Sequence, residues 1–284
     1  MPTPGLSLVG FMDETPGIEH LQRACIPPDP TNAALKAAWQ SAKGILGAPT
    51  AKAGNPDIEP IPASHAHYML QLMQLPWVVA GLAADLAGAT FQMIEIDPLL
   101  AFQLTVDTDR GAYHCAGVSS PPTIDEMLVK CLPLMITPEP IQVSNLAQSM
   151  MIRCRNANFR IVRNGALNDP MGNLQGMGVL LAMSLPFVHV VRFNGRCYLH
   201  NGYHRSVALR MAGATKIPCI FRDVHTAEAA GIRADGSTFP ESLLTGADPP
   251  TVGHFTNNRA HAVSLREHAR VINVSWSEYL AYEE

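Results

Sequence analysis

The strongest constraint on the fold is one ordered run of about 35 residues in the C-terminal half. Residues 187–193 (FVHVVRF) read as a strand, and Asn194-Gly195 after them is the strongest short-range hairpin signal, because a tight turn needs residues that tolerate positive φ. Residues 196–200 (RCYLH) then read as the returning strand, broken at Asn201-Gly202. A helix is expected over residues 203–212, with Val207, Leu209 and Met211 among its apolar positions and Gly213 at its end. Residues 217–221 (IPCIF) read as a buried strand. A chain built around strand, turn, strand, helix and strand belongs to a mixed class, and 284 residues can bury a substantial core around it.

The rest of the chain is less regular. Ten of the 23 prolines fall before residue 63, so the start reads as punctuated, with room for one clear helix over residues 32–46. Thr31 would cap it, and Leu35, Ala38, Trp39 and Ile45 would give it apolar positions. A second helix is expected after Ser64, where Tyr68, Leu72 and Leu75 share a face, and a third after Pro76. Residues 91–96 and 102–106 read as short strands around Asp97-Pro98. Thr123-Ile124-Asp125-Glu126 is a capping box opening a helix to about Leu132. Residues 150–155 and 159–163 read as a hairpin carrying Arg153, Arg155, Arg160 and Arg163, equally readable as a basic face or as a solvated one.

Charge and cysteine content narrow the function classes. The net charge of −4 is uneven: residues 1–150 hold 6 Lys/Arg against 14 Asp/Glu, and residues 151–284 hold 14 against 10. The basic residues are mostly arginine, 15 against 5 lysines, whose planar fork suits carboxylate and phosphate. The excess is too small for a general nucleic-acid surface, so a small anion fits better and nucleic acid is not favoured. Six cysteines without a C-x-x-C pair indicate neither a zinc ribbon nor a disulfide scaffold, and a reduced cytoplasmic protein is expected. No basic stretch precedes an apolar one at the start, and no run of about 20 apolar residues is unbroken, so neither a signal peptide nor a membrane span is expected. The P-loop, G-x-S-x-G and H-E-x-x-H signatures are absent.

The stretch VVRFNGRCYLHNGYHRSVALRMAGATKIPCIF resembles the ParB/sulfiredoxin-like superfamily. The match lies in the strand pair, the turn Gly202-Tyr203-His204-Arg205, Ala208, Gly213 and the Ile-Pro-Cys-Ile strand. The expected fold is α+β in three parts: a helical, Pro-rich region at 1–90 read from the residues, a domain with insertions at 91–224 that the resemblance implies is ParB/sulfiredoxin-like, and a C-terminal helical extension at 225–284. The resemblance also implies that the turn holds the phosphates of ATP or CTP with Mg2+. Asn201, Gly202, Tyr203, His204 and Arg205 are then the binding residues. Sulfiredoxins carry a catalytic cysteine where this chain has Tyr203, so sulfinic acid reduction is not expected. No helix-turn-helix follows residue 221, which argues against chromosome partitioning. The turn is closest to that of ParB-like kinases acting on small molecules.

Elementary chemistry agrees with phosphate at this turn. A glycine permits positive φ and close approach, and the first helical amides favour an anion. Arg205 offers a bidentate fork and His204 a donor that titrates near neutrality. The alternative is a plain turn whose His204 and Arg205 are surface groups or pair with nearby acids. For catalysis, a carboxylate must serve as base for an unidentified small-molecule acceptor. Glu95 and Asp97 are the first candidates, with His204 beside them, and Asp107 and Asp109 come next; an edge-strand Glu and a turn-forming Asp explain Glu95 and Asp97 equally well. Two readings stand: a Mg-dependent kinase or NTPase, and a non-enzymatic regulator that senses a nucleotide or contacts DNA. No metal-ligating set of histidines is spaced for zinc, although His200 and His204 flank the turn.

Overall fold

The computed structural model describes residues 2–27, 29–47, 52–76, 78–79, 87–135, 140–155, 159–168, 175–182, 186–232, 239–267 and 269–277. The chain divides into two compact units, Met1–Met135 with Pro186–Arg266, and Ile136–Leu185 with Glu267–Glu284. In the first unit β1 (Thr3–Ser7), α1 (Glu14–Ala24), α2 (Asn32–Gly44), β2 (Ile58–Pro60) and α3 (Ala66–Gln74) come first. They are followed by β3 (Thr90–Glu95), β4 (Leu100–Ala101), β5 (Thr105–Asp107), α4 (Thr108–His114) and α5 (Ile124–Cys131). The second unit contributes β6 (Ile141–Leu146), β7 (Ser149–Cys154), β8 (Arg160–Asn168) and β9 (Gln175–Ala182). The first unit resumes with β10 (His189–Phe193), β11 (Arg196–Asn201), α6 (Tyr203–Met211) and β12 (Lys216–Asp223). Short helices α7 (Ala227–Ala230), α8 (Glu241–Thr245) and α9 (Gly253–Thr256) precede β13 (His261–Leu265), and β14 (Arg270–Ser275) belongs to the second unit.

The centre of the first unit is a mixed six-stranded sheet in the order β2-β3-β12-β10-β11-β4. The β10–β11 hairpin turns where the sequence predicts, with Asn194 at φ 49° and Gly195 at φ 76°, two successive positive values of the kind tight hairpins use. After α6 the chain returns as β12, which lies parallel to β10 and antiparallel to β3. Val190, Leu199, Ile217, Cys219 and Ile220 are fully buried or nearly so, and α6 adds Val207 and Leu209 to the interior. α5 lies against β12 and α4 against α6, so the α4, α5 and α6 helices form one neighbourhood. The expected capping box opens α5: Glu126 N–H donates to Thr123 Oγ1 at 3.3 Å, and Thr123 N–H donates to Glu126 Oε2 at 2.7 Å.

Several expectations change. The first residues are a strand, not an irregular lead: β1 pairs with β13 on one side and with β5 on the other. Segments expected to belong to separate parts at 1–90, 91–224 and 225–284 thus share one three-stranded sheet. A helix not anticipated, α1, runs through Pro16, which sits in the first turn where no intrahelical donor is needed. Of the expected strand over 102–106 only the end is strand, in β5, with the two-residue β4 just before it, and much of the expected C-terminal helical extension is strand, β13 and β14. The expected hairpin of 150–155 with 159–163 does not form. Instead β7 pairs with the preceding β6 on one edge and the distant β14 on the other, and β8 pairs with the following β9, so both edges of β7 are already taken. Arg155 there pairs with Glu267 at 2.6 Å. Most of the helix expected after Pro76 lies outside the described residues. Among the described residues no helix is long and apolar enough to cross a membrane.

Three buried histidines away from α6's N-terminus make the fold acid-sensitive. Burial, followed by a neighbouring positive charge, lowers His20 and His254 to about 4 and His189 to about 3. His254 Nδ1 accepts the Thr251 N–H at 2.9 Å, which only the unprotonated nitrogen can do. Neither ring nitrogen of His20 has a hydrogen-bond partner among the described residues. The native state therefore refuses protons that the unfolded chain accepts below about pH 6.5. Stability is full above that value and is lost as pH falls towards about 4, by roughly 1–2 kcal/mol per histidine at about pH 5. Urea unfolding at about pH 7 and about pH 5 checks this; equal midpoints would contradict it.

Candidate functional site

The turn between β11 and α6 is set by a close approach. Gly202 has φ 99°, and a Cβ there would lie 2.8 Å from Val188 Cγ2 and 3.1 Å from Val188 Cα. Val188 is itself pinned, its N–H donating to Cys131 O and its carbonyl accepting from Ile220 N–H, both at 2.9 Å. Glycine is thus required twice, for its φ and for lack of a side chain. Because Gly202 provides no capping side chain, the amides of Tyr203, His204 and Arg205 open the helix without an intrahelical acceptor.

The side chains of the turn are used unequally. Asn201 Nδ2 donates to Phe187 O at 2.9 Å, which holds the hairpin end. Tyr203 is buried, and its hydroxyl accepts the Phe102 N–H at 2.6 Å; burial pushes the phenol far above its ordinary value, so it stays protonated. Arg205 points inward. Its Nη1 donates to Lys130 O at 3.0 Å and to Pro186 O, tying the last turn of α5 to the entrance of β10. Its Nε and Nη2 make no hydrogen bond among the described residues. His204 alone of the expected side chains has neither ring nitrogen bonded among the described residues.

α4 completes the neighbourhood. Asp107 caps it, Oδ1 accepting the Arg110 N–H at 2.8 Å, and β1 braces the cap through Thr3 Oγ1, which donates to Asp107 Oδ2 at 3.1 Å. Gly111 lets α4 approach α6 closely, since a Cβ there would be 2.9 Å from His204 O. Arg110 and His114, four apart on one face, are joined by a 3.5 Å contact from Arg110 Nε to His114 Nε2. Lys130 of α5 reaches over to donate to Ala116 O at 3.0 Å. Burial and then Arg205, Arg110 and Lys130 lower His114 to about 4. Burial and then Arg110 lower His204 to about 4 as well, with Asp107 acting in the opposite sense. Arg110, Lys130 and Arg205 thus act electrostatically on His114, and Arg110 and Arg205 on His204, where α4 packs on α6.

The expected carboxylates do not join them. Asp97 holds Arg210 in a bidentate pair, 2.7 Å to Nε and 2.9 Å to Nη2, and its carbonyl accepts from Gly253 N–H at 3.1 Å. Arg210 lies seven residues beyond Tyr203, about 10.5 Å along the helix, so Asp97 and the turn mark opposite ends of α6. Glu95 ends β3 opposite Lys216 of β12, and its Oε2 accepts the Asp57 N–H at 3.1 Å. Asp107, the second choice from sequence, is the carboxylate that faces His204. His114 and Lys130 were not anticipated. The signal for His114 was present in the i, i+4 spacing from Arg110.

The residues fit a phosphate better than they fit a metal ion. The amides of residues 203–205, which have no acceptor among the described residues, and the Lys130 ammonium suit an oxyanion. Both oxygens of Asp107 are already engaged, and among the described residues no group of three or more His, Cys, Asp or Glu is arranged for a metal. His200 instead has its ring centroid 5.0 Å from that of His189.

The division of labour is testable by stability. Arg205→Ala leaves two backbone carbonyls without their donor and is expected to cost about 2–4 kcal/mol, whereas His204→Gln is expected to stay within about 1 kcal/mol. Denaturant midpoints of the two variants check it; a neutral Arg205→Ala would mean that the guanidinium serves the ligand alone. Comparison of the chain with known protein families, with curated proteins and with solved structures finds no match.

Proposed function

We propose that this chain binds a nucleotide, ATP or CTP in the ParB/sulfiredoxin-like manner, with its phosphates on the N-terminal turn of α6. The observation that carries the reading is the convergence of Arg110, Lys130, Arg205, His114 and His204 on a helix start capped only by Gly202. Burial first and the neighbouring cations second lower both histidines to about 4, so a further positive charge there is unfavourable. An oxyanion offsets the cations and accepts the open amides. Within this reading Arg205 is part anchor and part ligand group, and Tyr203 and Asn201 position the turn without touching the phosphate.

The same arrangement favours the regulator over the kinase or NTPase. Glu95 and Asp97 are engaged elsewhere, so neither is a base for an attacking hydroxyl. Magnesium, where it takes part, arrives on the phosphates, since both oxygens of Asp107 are engaged by Thr3 and the Arg110 N–H. Phosphoryl transfer to a small-molecule acceptor stays as a second reading on one observation, that Asp107 faces His204.

Isothermal titration with ATP, CTP and GTP in the presence of magnesium tests the binding. At least one is expected to bind, and Lys130→Ala and His204→Gln are each expected to weaken it about tenfold, the scale of one charge-assisted contact. Failure of all three to bind the folded chain would end the proposal. Release of inorganic phosphate that depends on Asp107 would move it to the second reading.

A further inference from the structure

We propose that β6 is a self-association edge: two copies of this chain pair their β6 strands antiparallel about a twofold axis at Val143, joining two β14-β7-β6 sheets into one. This association is independent of the phosphate reading, since β6 belongs to the second unit.

β6 ends its sheet, and among the described residues it pairs with β7 alone. All six of its residues are exposed. Edge strands are usually guarded by a charge, a proline or a bulge that deters another strand. β6 (IQVSNL) has none of these: no residue is charged, and its pairing with β7 runs in unbroken register. A second copy of the same strand therefore meets it without like-charge repulsion. The opposite edge of the sheet differs, because β14 begins with Arg270.

The direction of the free backbone groups sets the register. Leu146 and Ser149 are paired across the turn Ala147-Gln148, and the Gln148 carbonyl accepts from Trp276 N–H at 3.1 Å, on the β14 side. Backbone groups alternate sides along a strand, so Met150, Ile152 and Cys154 face β14 while Ser149, Met151 and Arg153 face β6. The partners of the latter, Leu146, Ser144 and Gln142, spend their N–H and C=O groups on β7. Ile141, Val143 and Asn145 thus direct theirs outward. Two such edges match when Val143 stands opposite Val143 of the second copy, and Ile141 opposite its Asn145.

The side chains agree with this register. Residues directly opposite one another share a face, so Val143, Ile152 and Ile272 form one row across the sheet. Ile152 is 2% exposed and packs with Ile272 and Phe159, whereas Val143, at the end of the row, is 55% exposed. About the axis the row continues as valine against valine, a β-branched cross-strand pair of the kind that stabilises sheets. An edge of six residues spans only about 20 Å and buries less than about 1,200 Å2, the low end for specific interfaces. A weak dimer, with a Kd in the micromolar range or above, is therefore expected.

Sedimentation velocity of the full chain, from about 1 μM to about 1 mM, is expected to show monomer passing into dimer and nothing larger. Val143→Lys sets two ammonium groups opposite each other at the axis and is expected to weaken the dimer about tenfold. Val271→Lys, at an exposed position of β14, is expected to leave it within about twofold. If Val143→Lys loses its native circular dichroism, amide hydrogen exchange of the unaltered chain decides. The N–H groups of Ile141, Val143 and Asn145 then slow as concentration rises, by more than those of Gln142 and Ser144. A folded chain that stays monomeric throughout, species that grow beyond the dimer, a dimer indifferent to Val143→Lys, or exchange at Val143 independent of concentration overturns the proposal and leaves the phosphate reading in place.

Discussion

The approach of Gly202 to Val188 is the constraint on which the rest of the structure depends. Val188 is bonded to Cys131 at the end of α5 and to Ile220 in β12, so whatever touches it is fixed against both a helix and the central sheet. Gly202 touches it with no side chain and with φ 99°, and α6 starts from that point. The direction of α6 then sets two other contacts. Arg205 reaches the carbonyls of Lys130 and Pro186, and Arg210 reaches Asp97 at the far end. A larger residue at 202 would move the helix start away from the hairpin and disturb both.

The site is a consequence of that placement together with the N-terminal strand. β1 pairs with β5, and Thr3 donates to the carboxylate of Asp107 that caps α4. α4 is thereby held beside α6, close enough that Gly111 faces the His204 carbonyl. Residues from opposite ends of the chain thus brace one small basic neighbourhood. Burial first, and the cations around them second, lower both of its histidines to about 4, so a further positive charge there is unfavourable.

What the sequence revealed was what short-range chemistry decides. Asn194-Gly195, Gly202, Gly213 and the Thr123–Glu126 box act within a few residues, and the hairpin, the helix start and the α5 cap stand where they are expected. The strand pairs made by β1, β13 and β14 join residues far apart in the chain, and no local pattern announces them. Pro16 was misleading for a related reason: a proline breaks a helix in its interior, but in the first turn of α1 it has nothing to break. At the site, the positive-φ Gly202 and the helix that starts after it were legible. The inward turn of Arg205 was not, because its acceptors are backbone carbonyls that only the tertiary fold brings near. Asp97 looked like a base and is a structural partner of Arg210, and the basic residues that do gather, His114 and Lys130, belong to helices whose packing on α6 the sequence does not encode locally.

The central claim is that an oxyanion lies on the open amides of α6 and against the basic groups of α4 and α5. The most direct measurement is a two-dimensional amide NMR titration of the full chain with inorganic pyrophosphate, followed residue by residue. The account predicts that the largest shifts fall on the amides of Tyr203, His204 and Arg205, with smaller ones at Arg110, His114 and Lys130, and that those of Glu95 and Asp97 stay still. Shifts centred on Glu95 and Asp97, or none in a folded protein, would contradict it.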